Sequence, residues 1–349
     1  MSRIFSRSPY IIEVDESGQT SSRIELYIWN GSVEPSEPAY ILSKNIPASN
    51  IVQTLYNISP YIREYISFSS YSANVSDSAE DTDVNMYANV RVKRFVTDSS
   101  GESELDSTIY DAFDGYGTYE QGYNPDLSSN TILLDEGDYY YNESDGAGSI
   151  NMRLADIQEF IKYTNLNDNT TTSIAFSSNS EIRSYNRVHS SNISDGNKLE
   201  VFRGLNVLWT GYFRPQCEAK YTPVYIDYIN RFGMWSRTFM FKTSKESFSV
   251  TSSEYNLLQS NLLNYDVKEG QRKQFNVNGQ ESIKLNSGWV KESYSNEIKQ
   301  ILVSERILVN NKPAKCMTTS LDIQKSINDK NIAYSLDFQF NNDYINSVV

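Results

Sequence analysis

The chain has 349 residues, 39% hydrophobic and 21% charged, which is enough for two ordinary domains or one large β domain and excludes a disordered chain. A formal net charge of −13 argues against nucleic-acid binding, which needs a basic patch to displace counterions from phosphates. Two cysteines, Cys217 and Cys316, and one histidine, His189, cannot by themselves supply a four-ligand structural zinc site.

The opening MSRIFSRSPYIIEV lacks the apolar core of a signal peptide. No run of about 18 apolar residues marks a membrane helix. Residues 8–14 read as a strand. SRIELYIWNG then alternates, with Ile24, Leu26 and Ile28 on one face and Arg23, Glu25 and Tyr27 on the other. Residues 39–44 give a third short run, and this spacing suggests a β-sandwich of immunoglobulin or fibronectin III character.

Ile51, Leu55 and Ile58 share a helical face, so 49–58 is expected to be a short helix capped by Ser49 or Asn50 and stopped by Pro60. The stretch 61–68 alternates and favours a strand, with a helix as the alternative. Residues 72–83 are a small, acidic loop. A long strand follows at 84–96, with Met86, Ala88, Val90 and Val92 on one face. DAFDGYGTYEQGYNP (111–125) is a turn-rich loop or hairpin, or an interaction loop. TILLDEGDYYYN (131–142) reads as a hairpin about Glu136-Gly137. Leu154, Ile157 and Ile161 repeat at helical spacing behind Asn151, so 152–163 is expected to be a helix.

From residue 199 the strand pattern strengthens. VYIDYINRFGMWSRTFMF (224–241) has two apolar runs around an Arg-Phe-Gly break, with Phe232, Trp235, Phe239 and Phe241 in or after it. These aromatics are either a ligand platform or one face of an antiparallel hairpin, and the alternation favours the hairpin. The best helix is 294–305, carrying Ile298, Ile301 and Leu302. Residues 306–310 resume a strand, turned by Asn310-Asn311-Lys312-Pro313. The end reads as a long hairpin turning at 328–330, with Leu336, Phe338 and Phe340 toward the core. The expected class is mainly β: two β-sandwich-like domains, 1–128 and 129–349, with two or three short helices.

Motifs for chemistry are sparse. No Gly-x-Ser-x-Gly elbow accompanies His189, which reads as a loop residue, and no phosphate-cradling glycine loop follows a strand. Nothing calls for a cofactor. Asp111, Asp114 and Glu120, near Tyr110, Tyr116 and Tyr119, are the carboxylates to weigh as a glycosidase pair. Residues 77–83 and 135–138 are dense in carboxylates but lack the spacing of a calcium loop. The Tyr-rich loop at 110–123 and Tyr139–Tyr141 are the aromatic surfaces to weigh for sugar binding.

Lys220 to Pro223, Asn230 to Gly233, Asn286 to Val290, Ile298 to Gln300 and Ser326 to Lys330 form a further pattern. It resembles a family of virion structural proteins of crAss-like and related tailed phages of Bacteroidota, over roughly 217–341. The N-terminal strands are similar to the opening domain of such proteins. The resemblance implies a non-enzymatic ring, neck, hub or baseplate component, present in several copies and assembled in the host cytoplasm into the virion. Its partners would be itself, other tail or portal-proximal proteins and genomic DNA passing without specific binding. A net negative charge would keep DNA from sticking to such a channel. No catalytic, cofactor-binding or metal residues come with it. Tyr116, Tyr119, Phe232, Gly233, Trp235, Phe239 and Trp289 are then candidate interface or structural residues. The alternatives are a receptor- or glycan-binding tail protein and a carbohydrate-active enzyme.

Overall fold

A computed structural model describes residues 2–31, 33–46, 53–68, 80–81, 86–122, 124, 133–142, 149–154, 159–175, 183–188, 195–216, 222–258, 263–264, 266–268, 270–322 and 331–346. Among the described residues the fold is mainly β. The chain divides into two compact units. The first is 1–217 with Asp227–Thr238, and the second is 218–226 with 239–349. The expected boundary at 128/129, His189, Cys217 and most of the acidic loop 72–83 lie outside the described residues.

The first unit opens with β1 (Ser2–Phe5), β2 (Ile11–Asp15), β3 (Ser21–Trp29), β4 (Tyr40–Asn45), β5 (Gln53–Asn57), α1 (Ser59–Tyr65), β6 (Glu80–Asp81), β7 (Tyr87–Asp98) and β8 (Gly101–Phe113). One sheet runs β1-β8-β7-β3-β4, and β2 pairs with β5. β1 is parallel to β8 and the other neighbours are antiparallel. The two layers and α1 close on one core, including Ile4, Val14, Ile24, Leu26, Tyr56, Ile62, Val90 and Ala112. Ile24, Leu26 and Ile28 point inward as their alternation predicts, as do Met86, Ala88, Val90 and Val92.

Two expectations here are corrected. The described part of 49–58 is strand, not helix: Thr54 and Tyr56 point inward and Leu55 is exposed, a period of two. Pairing with β2 overrides the helical spacing. Buried hydrogen bonds between Ser22 Oγ and the hydroxyls of Thr54 and Tyr56, each 2.6 Å, fix that face. Residues 59–65 are helix rather than strand. Pro60 sits in the first turn and opens α1 instead of stopping a helix, because its fixed φ suits that position and its missing N–H costs nothing there. Ile58, Ile62 and Ile66, at i, i+4 and i+8, are all buried.

The unit continues with β9 (Gly137–Asn142), β10 (Ser149–Leu154), β11 (Glu159–Asn165), β12 (Thr171–Ala175), β13 (Arg183–Val188), β14 (Asn197–Arg203) and β15 (Asn206–Gln216). Two more sheets form, β12-β11-β14-β15-β9 and β10-β13-β6. The expected helix over 152–163 is corrected: its described residues are the end of β10 and the start of β11. Ile161 and Tyr163 are buried at a spacing of two, and the β-branched and aromatic run EFIKYT suits a pleated surface. The expected hairpin about Glu136-Gly137 is also corrected. Gly137–Asn142 is a single strand parallel to β15. Leu133 and Leu134 before it are buried, and Trp209 Nε1 donates to Leu134 O at 3.0 Å.

β16 (Val224–Ile229) and β17 (Trp235–Met240) form the hairpin that the alternation predicts. Asp227–Thr238 belong to the first unit, while the residues on either side belong to the second.

The second unit adds β18 (Lys245–Asn256), β19 (Arg272–Asn286), β20 (Val290–Lys291), α2 (Ser295–Val303), β21 (Ile307–Val309), β22 (Lys312–Cys316), β23 (Asn331–Ile332) and β24 (Ser335–Asp343). Its sheet order ends β21-β22-β24-β19-β18. α2 forms inside its expected span, with Ile298 and Ile301 fully buried. Asn310 and Asn311, at φ of 48° and 64°, make the two-residue turn between β21 and β22, the left-handed geometry that matches strand twist. The expected long terminal hairpin is corrected in its described part. Residues 317–322 are not strand, and Ser335–Asp343 pairs with β19 and β22. Its proposed turn at 328–330 lies outside the described residues. Leu336 and Phe338 are fully buried, and Phe340 is half-buried.

Candidate functional site

The tip of the β16–β17 hairpin is organised by Asn230. Its N–H donates to Met234 O at 2.8 Å, and the Gly233 N–H returns to Asn230 O at 3.0 Å. Its side-chain oxygen accepts from the N–H groups of Phe232 (2.9 Å) and Met234 (3.0 Å), while its amide donates to Ser236 Oγ at 3.0 Å. Asparagine is suited to this because one short side chain satisfies several turn amides. Gly233 has φ of 83°, and a Cβ there would lie 2.7 Å from Asp114 N and 2.9 Å from Gly115 N. Both the left-handed backbone and the close approach require glycine.

The turn is pinned to the segment that follows β8. Tyr116 N–H donates to Arg231 O at 2.8 Å. A Cβ on Gly115 would come 2.7 Å from the same oxygen. Phe232 meets Phe5 edge-on at 6.1 Å, and Trp235 meets Phe68 at 6.1 Å. Arg231 stacks over Phe232 at 4.5 Å and pairs with Asp135. Asp227, with no exposed side-chain surface, takes both forks of Arg237 at 2.6 and 2.8 Å. Burial pushes the Asp227 carboxyl upward, against the pull of Arg237.

The candidate residues fall in distinct settings. Phe232, Gly233 and Trp235 are interior at the turn, and Tyr116 lies half-buried beside it with Arg7 over its ring at 5.1 Å. Burial raises the Tyr116 hydroxyl pKa. Tyr119 is fully exposed on a 3-10 turn, Tyr119–Gln121, closed by reciprocal hydrogen bonds between Thr118 and Gln121. In the second unit Phe239 is buried against Phe241, with ring centroids 6.0 Å apart. Trp289 is exposed and lines a shallow groove with Lys242, Lys245 and Lys284.

The weighed carboxylates are taken up separately. Asp111 is buried in β8, at the register position of the buried Arg3 in β1. Asp114 accepts from Ser6 Oγ at 3.1 Å and pairs with Arg63 at 3.6 Å, and Glu120 is exposed. Asp138 pairs with Arg214 at 2.8 Å, and Glu136 accepts from the Thr210 N–H at 3.2 Å. Among the described residues no group of three or more His, Cys, Asp or Glu is placed to hold a metal ion. No protein-family model matches the chain, and no curated protein matches its sequence.

Sequence reasoning missed two features. Asn124 is buried; it accepts from the Phe5 N–H at 3.0 Å and donates to Phe5 O at 2.6 Å, clamping β1. Nothing local in the sequence marks it. The second is β18, exposed along its whole length. Its signal was available in the alternation of Phe248 and Val250 with serines.

Proposed function

We propose that this protein is a non-enzymatic structural subunit of a tailed-phage virion, one copy in a multimeric ring of the tail, neck or baseplate around the DNA channel. The observation that carries the reading is where the apolar surface lies. Phe232, Trp235, Phe239 and Phe241 are interior, so the richest aromatic stretch is scaffold. Exposed apolar side chains instead line the β18–β19 ribbon: Phe248, Val250, Tyr255, Phe275 and Val277. The β24 pairing of β19 stops at Gln280, and beyond it β18–β19 is a two-stranded ribbon. Such a ribbon is marginal in water on its own, and exposed apolar patches mark contact with other chains. The resemblance to phage virion proteins supplies the setting. Quantitative mass spectrometry of purified virions of the encoding phage tests it. The chain is expected at many copies per particle, and its absence from virions overturns the reading.

A second reading, a receptor- or glycan-binding tail protein, is favoured by one observation. Tyr119 stands fully exposed on a capped turn, the placement a sugar-stacking ring needs. Glycan-array binding that disappears in Tyr119→Ala supports it, and an array without binding removes it.

A further inference from the structure

β18 is the terminal strand of its sheet. Its backbone ladder runs to β19 from Lys245↔Lys284 to Asn256↔Arg272, and among the described residues nothing pairs with its outer edge. Natural sheets blunt such edges by shortness, proline, bulges or charge. β18 has twelve residues and no proline. Its central SFSVTSS, 247–253, carries no charge. The irregularity in the β18–β19 ladder falls on β19, where Asn276 has φ of 50°. β18 itself therefore stays regular, with Glu246, Phe248, Val250, Ser252 and Glu254 on one face. Phe248 and Val250 are 52% and 60% exposed.

We propose that the outer edge of β18 pairs antiparallel with β18 of a second copy of this chain, about a two-fold axis through Ser249. The sequence around that axis is self-complementary. Phe248 falls opposite the second copy's Val250, twice over, an aromatic–β-branched pair of the kind that stabilises antiparallel sheets. Ser247 meets Thr251. Every charge meets a serine: Lys245 meets Ser253, Glu246 meets Ser252, and Glu254 meets Ser244. Shifting the axis to Val250 sets Glu246 against Glu254, and shifting it to Thr251 sets Phe248 against Glu254. Shifting it to Phe248 sets Glu246 against Val250, so the axis at Ser249 is favoured over these neighbours by charge and by apolar matching. In a chain of net charge −13, two copies repel over most of their surface, and this uncharged edge is where they meet without that penalty. The pairing goes beyond the ring reading, although both draw on the same exposed ribbon. It is isologous and closes at two copies, whereas a ring needs heterologous contacts as well.

The test uses the full chain. At the axis the two Ser249 residues lie opposite each other, about 4.5–5.5 Å apart at Cα, within disulfide reach. Thr251 is displaced from its own copy by four residues, roughly 14 Å, beyond that reach. Ser249→Cys is expected to form a covalent dimer on mild oxidation, and Thr251→Cys no more than the wild type with its native cysteines. Val250→Lys sets a lysine against Phe248 at both pairs. It is expected to weaken the dimer about tenfold or more in sedimentation, with the circular dichroism spectrum unchanged. Monomeric wild type, a Ser249→Cys chain that cross-links no better than wild type, or Thr251→Cys cross-linking equally well would each overturn the pairing. So would an undiminished Val250→Lys dimer. The virion experiment is separate, so either result can fail without the other.

Discussion

At the scale of single residues, the hairpin tip concentrates demands that only particular side chains meet. Gly233→Ala forces a β-carbon into the backbone of Asp114 and Gly115 from a left-handed φ, and is expected to cost about 2–4 kcal/mol in denaturant unfolding. Asn230→Ala strips the acceptor from the Phe232 and Met234 N–H groups and is expected to cost about 1–3 kcal/mol. Asn230→Asp, which keeps the acceptor, should lose less. Asp227 and Arg237 form a two-pronged pair with little access to water. Removing one partner, as in Arg237→Met, is expected to cost about 3–5 kcal/mol, because it leaves a buried charge uncompensated. Adding Asp227→Leu should recover part of the loss, and a double mutant as unstable as the single one would contradict the account. The Arg-Phe-Gly break and Gly233 were legible in the sequence. Asn230 as organiser was not: most of its partners are in the turn itself, but they become visible only once the hairpin's geometry is known, and its amide also reaches the distant Leu133 O at 3.4 Å.

At the scale of elements, the first sheet carries ion pairs between strands on both faces, Arg23 on the solvent side and Arg94 on the side toward β2, where it also donates to Glu13 O at 2.7 Å. Arg23 of β3 grips Glu102 of β8, and Arg94 of β7 grips Asp106 of β8. Hydrogen bonds from Arg23 and Arg94 hold the Glu102 and Asp106 carboxyls below their ordinary range. A carboxyl depressed on folding adds stability that is complete above its unfolded value, about 4, and is lost as pH falls through the lowered folded value. Thermal melts from pH 6 downward are therefore expected to fall less steeply in Arg23→Gln with Arg94→Gln than in the wild type. Equal slopes would mean that these exposed pairs are screened out. The sequence made long strands legible wherever one face is apolar, as in β3 and β7. It failed where two periods compete. Ile51, Leu55 and Ile58, and Leu154, Ile157 and Ile161, carry helical spacing inside segments whose described residues are strands. Pairing partners far along the chain decide such cases, and local spacing cannot see them. β8 gave no signal through GESELDST because both its faces there are largely open to solvent.

At the scale of the whole molecule, a mainly β chain of two compact units keeps its densest aromatic segment for its interior and sets apolar side chains on an open ribbon. The fold class was legible from alternation and turn residues. The ribbon was missed although Phe248 and Val250 alternate with serines, because a strand exposed on both faces looks like a polar loop until its pairing is known. Our central claim is that the protein exists to be one repeated part of a larger particle. A reconstruction, with every chain traced, of the virion proposed to contain it tests it most directly. The account predicts this chain in multiple symmetry-related copies in a tail, neck or baseplate ring. A virion complete without it would contradict the account.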